Sequence, residues 1–227
     1  MGKGLFVIGT GTDVGKTYVT GLLVKALHEG GANAAYYKAA MSGNTRLPDG
    51  TLHPGDAAHV KAISGIGQPL DSMCPYVYER AVSPHLAARL EGEPVDRARV
   101  LAGLNELRQQ YDFVTMEGAG GILCPLRMDE QTLWLPDLIR DTGLPCLLVA
   151  DAGLGTINAV GLTAFYLRAQ HIPLAGIVFN HFIPGDVMHE DNRRVCEQLT
   201  GVPVVACVQD GDTALRLTAA QVQALYA

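Results

Sequence analysis

The sequence predicts an α/β fold, a mostly parallel sheet with helices on both faces. Short, mostly apolar runs recur at Leu5–Ile8, Ala34–Lys38, Phe113–Glu117, Cys146–Ala150, Ala175–Asn180 and Val204–Cys207, the form taken by strands buried on both faces. Segments of helical period separate them. Strands alternating with helices give a parallel sheet with right-handed crossovers, and ligands in such sheets sit beyond the carboxyl ends of the strands.

The first strand runs straight into the stretch around which the chain is organised, IGTGTDVGKT at Ile8–Thr17. Glycines let a backbone turn tightly with its N–H groups inward, and a following helix N-terminus adds positive potential, so the stretch reads as a phosphate cradle. Lys16 would reach the terminal phosphates and the Thr17 hydroxyl a magnesium ion. The strict motif has glycine five positions before Gly15, where this chain has Thr10; Gly9 is six before, so the loop is one residue longer. The expected fold is P-loop NTPase-like.

The helix opened by the loop spans Gly15–Glu29, with Val19, Leu22, Leu23, Ala26 and Leu27 on one stripe. Met41–Tyr78, rich in Gly, Pro and Asp, is the least regular part; it is expected to wrap the site edge with a short helix near Asp56–Ile63. Ser83-Pro84 starts another helix, with Ser as N-cap and Pro at the first helical position. Asp96–Gln110 and Thr156–Gln170 follow the helical period, and a short apolar helix is expected at Thr218–Tyr226. No linker, internal repeat or low-complexity tract divides residues 1–227, so one domain is expected.

Composition narrows the partners. Net charge is −6 with no dense basic run, which argues against nucleic acid and against an electrostatic membrane anchor. The apolar runs are too short to span a bilayer and no signal peptide is visible. Five cysteines, at 74, 124, 146, 196 and 207, are scattered singly, as in reduced thiols that mostly fill core. A cytoplasmic location is expected.

The strand ends carry the candidate chemistry. Lys38, followed by Ser42, ends the second strand and points into the crevice. Asp56 stands at a helix start, where position alone favours an N-cap over a magnesium ligand. Glu117 ends a strand and precedes Gly118 in MEGAGG, the shape of a metal-binding strand end; its glycines let a ligand approach the backbone. ADAGLGTINA closes another strand and sets Asn158 on a first helical turn. Asn180 offers donor and acceptor to a base edge, or is a turn residue. Cys124 has no evident base partner, and His181 and His189 read as surface residues.

Taken in order, GTGTDVGKT, YYKAAMSG, SPHLAA at Ser83–Ala88, EGAGG and LGTIN at Leu154–Asn158 resemble the dethiobiotin synthetases of biotin biosynthesis, which also carry the longer loop. The resemblance covers Ile8 to about Asn180. It implies a homodimeric ligase that uses ATP and magnesium, takes 7,8-diaminopelargonate and carbon dioxide, phosphorylates the carbamate and closes a ureido ring. By matching positions, Lys16, Lys38 and Thr12 would be catalytic. Thr12, Lys38, Ser42 and Gly118 would face the substrate, joined by Leu154 and Asn158 across the dimer interface. Thr17, Asp56 and Glu117 would arrange magnesium. Asn180 would contact adenine, and Asp13, Val14, Gly15 and Tyr18 would lie around the rest of the nucleotide. Gln209 departs from the family, which has proline near that position; Gln209, Asp210 and Asp212 are candidate base or ribose contacts, and the departure leaves the nucleotide preference open.

Two other classes share the scaffold. Cobyrinate-type amide ligases need a glutamine-hydrolysing domain with a Cys–His pair, which is not evident here. Partitioning ATPases carry a second lysine five before the GKT lysine, where this chain has Gly11.

Overall fold

The computed structural model describes residues 1–227. In chain order the elements are β1 (Lys3–Gly9), α1 (Lys16–Glu29), β2 (Ala34–Lys38), β3 (Thr45–Arg46), β4 (Leu52–His53), α2 (Gly55–Ser64), α3 (Pro84–Glu91), α4 (Arg97–Gln110), β5 (Phe113–Glu117), β6 (Pro125–Met128), β7 (Thr132–Trp134), α5 (Leu135–Thr142), β8 (Cys146–Asp151), α6 (Thr156–Ala169), β9 (Leu174–Asn180), α7 (Val187–Thr200), β10 (Val204–Cys207) and α8 (Ala219–Gln223). Six of the strands form one sheet in the order β10-β9-β8-β1-β5-β2, parallel throughout. The anticipated strands and helices are present, with ends shifted by a few residues at most.

The pleat of β1 explains the two layers. Phe6 and Ile8 point to one face and join a core built with Val100 and Leu104 of α4, Leu138 and Ile139 of α5, and Val160 and Leu167 of α6. Leu5 and Val7 point to the other face and pack with Val19, Leu22 and Leu23 of α1, Ala57 and Val60 of α2, and Val222 of α8. A strand apolar at every position is thereby buried on both sides, and the helices occupy both faces.

Two helices and two hairpins were not anticipated. β3 pairs with β4 and β6 with β7, both antiparallel, in strands too short to show alternation. The inward residues of α7 are His189, Asn192, Cys196 and Thr200. Their spacing is helical but their chemistry is mostly polar, so no apolar stripe marks the helix. Asn192 Nδ2 donates to Ala152 O and Gly153 O at 2.9 and 3.1 Å. His189 is buried, not a surface residue, and its Nδ1 accepts from Ile183 N at 2.9 Å.

Register positions the site. Lys38 of β2 and Val7 of β1 both lie opposite Glu117 of β5, so three strand ends open side by side beneath the loop after β1.

Candidate active site

The loop between β1 and α1 is shaped by crowding as much as by flexibility. Gly9 closes β1, and a Cβ there would come within 2.9 Å of Lys16 Cδ and Val14 Cγ2. Gly15 has φ 85°, and a Cβ on it would lie 2.0 Å from Asn180 Nδ2; only glycine meets both demands. Gly11 has open space around it. Asp13 adopts a positive φ of 60°, a conformation aspartate tolerates better than most residues. Lys16, in the first turn of α1, folds back and donates from Nζ to Gly11 O at 2.7 Å. Burial and the nearby Lys38 charge lower its pKa, against the pull of Glu117 and Asp56.

Lys38 is the hub. Its Nζ donates to Glu117 Oε1 and to Asp56 Oδ2, each at 2.6 Å. Burial alone would lower its pKa, but Glu117 and then Asp56 outweigh that and hold it above the ordinary lysine range. Burial likewise opposes ionisation of Asp56, and Lys38 overcomes it, leaving the Asp56 pKa lowered. Thr17 donates from Oγ1 to Glu117 Oε1 at 2.9 Å, and Tyr36 donates its hydroxyl to Glu117 Oε2 at 3.1 Å. Each element has a reason to be here: Thr17 rides the first turn of α1, and α2, packed on α1, carries Asp56 in. Asp56 does not cap α2. The N-cap is Pro54, no side-chain cap bond forms, and the carboxylate is drawn to the buried ammonium.

These groups line an open crevice of about 730 Å³. Thr12, Asp13, Gly15, Lys16 and Thr17 form one wall; Lys38, Met41, Ser42 and Asp56 another; Ala81–Pro84 with Glu117, Ala119, Gly120 and Cys124 complete it. The remaining sequence-predicted residues are elsewhere. Gly118 is buried against Leu135 and Phe6. Val14 and Asn180 lie on the β9 side of the loop, joined by a bond from Asn180 Nδ2 to Val14 O at 3.3 Å. Tyr18 donates its hydroxyl to Asp212 O, and Gln209 N donates to Asp212 Oδ2 at 2.9 Å, which ties the loop after β10 to α1. Leu154 is 94% exposed and Asn158 is also exposed, so neither reaches the crevice of its own chain.

Four lining or supporting residues, Tyr36, Ser83, Pro84 and Cys124, carry no site role in the sequence reading. Tyr36 was legible in principle, since period-two alternation puts it on the same face of β2 as Lys38. Ser83 and Pro84 mark a helix start and one stretch of the family resemblance, and neither reading places them at the crevice, which they line. Cys124 lines the crevice, but burial raises its thiol pKa, against the pull of Lys16 and Lys38, so it is not poised as a thiolate. Ser83 Oγ lies 3.0 Å from His85 Nδ1, with no carboxylate bonded to the imidazole to orient it as a base.

Two ammonium groups beside the N-terminus of α1 suit a triphosphate and a second anion. The Thr17 hydroxyl with the Asp56 and Glu117 carboxylates is an oxygen-only donor set, the chemistry magnesium takes when phosphate oxygens and waters complete its shell. No cluster of three or more His, Cys, Asp or Glu offers a softer site. The residues therefore fit magnesium.

A family model described as an AAA domain matches residues 3–214. ATP-dependent dethiobiotin synthetase BioD of Brachyspira hyodysenteriae is 40% identical over 227 residues, covering 100% of both chains. The protein of the same name from Clostridium perfringens (strain ATCC 13124) is 40% identical over 208 residues, 92% of this chain and 91% of its own. Among solved structures, the septum site-determining protein MinD of Pyrococcus horikoshii, complexed with Mg-ADP, superposes with a TM-score of 0.56 at 14% identity, covering 92% of this chain and 82% of that one; this likeness shows the shared fold alone. At such identity over its whole length, the chain belongs to the ATP-dependent dethiobiotin synthetase family.

Proposed function

We propose that residues 1–227 act as a single P-loop domain that makes dethiobiotin from 7,8-diaminopelargonate, carbon dioxide and ATP. The observation that carries the reading is the buried Lys38 ammonium, bonded to Glu117 and Asp56 and set beside Lys16 at one end of a crevice that runs on to Ser42 and Ser83. One amine of the diamine takes up carbon dioxide as a carbamate. A carbamate oxygen attacks the γ-phosphorus, ADP leaves, and a carbamic–phosphoric anhydride forms. The second amine attacks the carbonyl carbon, the C–O bond breaks, and phosphate departs as the ring closes.

None of these steps needs a protein nucleophile. Phosphoryl transfer depends on positioning and fixed positive charge, and ring closure is intramolecular once the substrate is held bent. Lys16 and the loop N–H groups stabilise charge on the triphosphate. Lys38, Thr12 and Ser42 hold the carbamate against the γ-phosphate. Magnesium, held by Thr17, Asp56 and Glu117, neutralises phosphate charge when bound. Asp13, Val14, Gly15, Tyr18, Asn180 and Gln209 surround the rest of the nucleotide, with Asn180 as the base contact.

The active form is a homodimer. Leu154, Asn158, Leu162 and Phe165 follow at helical spacing along one face of α6 and its approach. Leu162 is 62% exposed and Phe165 44%, an apolar stripe of the kind that marks an association surface. Leu154 and Asn158 then reach the partner's substrate. No helix is long and apolar enough to cross a membrane; the cytoplasmic location is part of the proposal. The test is turnover with diamine, bicarbonate, magnesium and ATP. Formation of the ureido product supports the reading; ATP hydrolysis indifferent to the diamine points to a partitioning-type ATPase instead.

A further inference from the structure

A second polar network lies on the β8–β9 side of the phosphate loop, outside the crevice. Asn180 closes β9 and is 2% exposed. Its Nδ2 donates to Val14 O and lies 3.1 Å from His181 Nε2. His181 Nδ1 lies 2.7 Å from Asp151 Oδ2 at the end of β8, and Asp151 Oδ1 accepts from Gly153 N at 2.7 Å. His181 has φ 53°, which histidine tolerates better than most residues.

The chemistry of each group fixes the direction of every bond. A carboxylate only accepts, so Nδ1 of His181 carries the ring proton. In the neutral ring Nε2 is then an acceptor, and the Asn180 group facing it is the NH2. The Val14 carbonyl makes the same demand. Asp210 Oδ1, 3.8 Å from Nε2 on a side chain 85% exposed, is beyond hydrogen-bond reach and does not compete. Two acceptors therefore hold the amide one way round. Its Oδ1 receives no bond from the protein and is not among the buried unpartnered atoms, so an acceptor is what Asn180 has left to offer a ligand.

We infer that Asp151 and His181 are positioning residues that fix the Asn180 amide and so select nucleoside triphosphates whose base bears an amine at purine C6 or pyrimidine C4. Adenine and cytosine donate to Oδ1. Guanine and uracil present a keto oxygen there, lone pair against lone pair, and such a mismatch at a polar site is costly. The inference rests on the proposed role of Asn180 as the base contact, and it answers the nucleotide preference that the residue at Gln209 leaves open.

The test compares kcat/KM for ATP, CTP, GTP, UTP and inosine triphosphate, the last differing from ATP at the C6 substituent. The unaltered enzyme is expected to favour ATP and CTP; equal use of ATP and inosine triphosphate overturns the inference without any variant. Asp151→Asn keeps an acceptor for Gly153 N but donates to His181 Nδ1, which moves the ring proton to Nε2 and disfavours the present amide orientation. His181→Gly suits the positive φ and removes the acceptor. Both are expected to lower the preference for amine over keto bases about ten-fold, the scale of one hydrogen bond, through KM and not kcat, which a general loss of structure would not do selectively. Asn180→Ala separates the two claims. If it leaves base preference unchanged, the Asn180 reading fails. If it abolishes the preference while Asp151→Asn and His181→Gly preserve it, only the positioning inference fails.

Discussion

Lys38 Nζ and Glu117 Oε1 face each other at 2.6 Å across paired strand ends, with the Glu117 side chain fully buried and that of Lys38 7% exposed. Removing one partner of a buried ion pair leaves an uncompensated charge and costs about 3–5 kcal/mol. Lys38→Met is therefore expected to lower urea-unfolding stability on that scale while turnover falls by several orders of magnitude. Adding Glu117→Gln to it relieves the orphaned carboxylate, so the double variant regains most of the stability and none of the activity. Equal stability of the two variants would contradict this account of the pair.

Lys16 behaves differently under substitution. Its ammonium makes one hydrogen bond, to Gly11 O, and the lowered pKa shows that burial disfavours its charge. Lys16→Ala is expected to change stability by about 1 kcal/mol or less and to cut turnover by several orders of magnitude. Unfolding curves beside product assays check both parts, and near-normal turnover would remove Lys16 from the phosphate role.

The loop glycines are not equivalent. Gly15→Ala demands a left-handed alanine, a strain of about 1–2 kcal/mol, and drives a Cβ to 2.0 Å from Asn180 Nδ2. It is expected to abolish nucleotide binding in a calorimetric titration. Gly11→Ala meets nothing within 4 Å and is expected to bind nucleotide within a few-fold of the unaltered enzyme.

Leu162 and Phe165 stand exposed on one face of α6. Phe165→Glu, alone or with Leu162→Glu, puts charge on the exposed apolar face and is expected to yield a monomer by light scattering, with unchanged far-ultraviolet dichroism and greatly reduced turnover. A monomer of full activity would separate Leu154 and Asn158 from the substrate.

Thr17→Val removes the hydroxyl and, with it, a donor to Glu117 Oε1. Turnover is expected to need roughly ten-fold or more free magnesium, the scale of one lost ligand contact, and chelator is expected to stop the unaltered enzyme.

The sheet was legible because strands buried on both faces must be apolar at nearly every position, and Phe6–Ile8 and Leu147–Ala150 have no other reading. The phosphate loop was legible because its glycines, lysine and threonine are local requirements of one turn. α7 was not, because His189, Asn192 and Thr200 face inward and satisfy their polar groups across space, where a linear period shows nothing. Asp56 illustrates the same limit. By itself it reads as a helix cap, and only the packing of α2 on α1 brings it to Lys38. What the sequence determined alone were the sheet strands, most of the helices and the residue types at their ends, since propensity and periodicity act locally. The tertiary structure decided which ends meet: the parallel register of β2 with β5 sets Lys38 against Glu117, and the β8–β9 pairing sets Asp151 beside Asn180. Charge and hydrogen bonding act over a few ångströms of space, however many residues of chain lie between the partners.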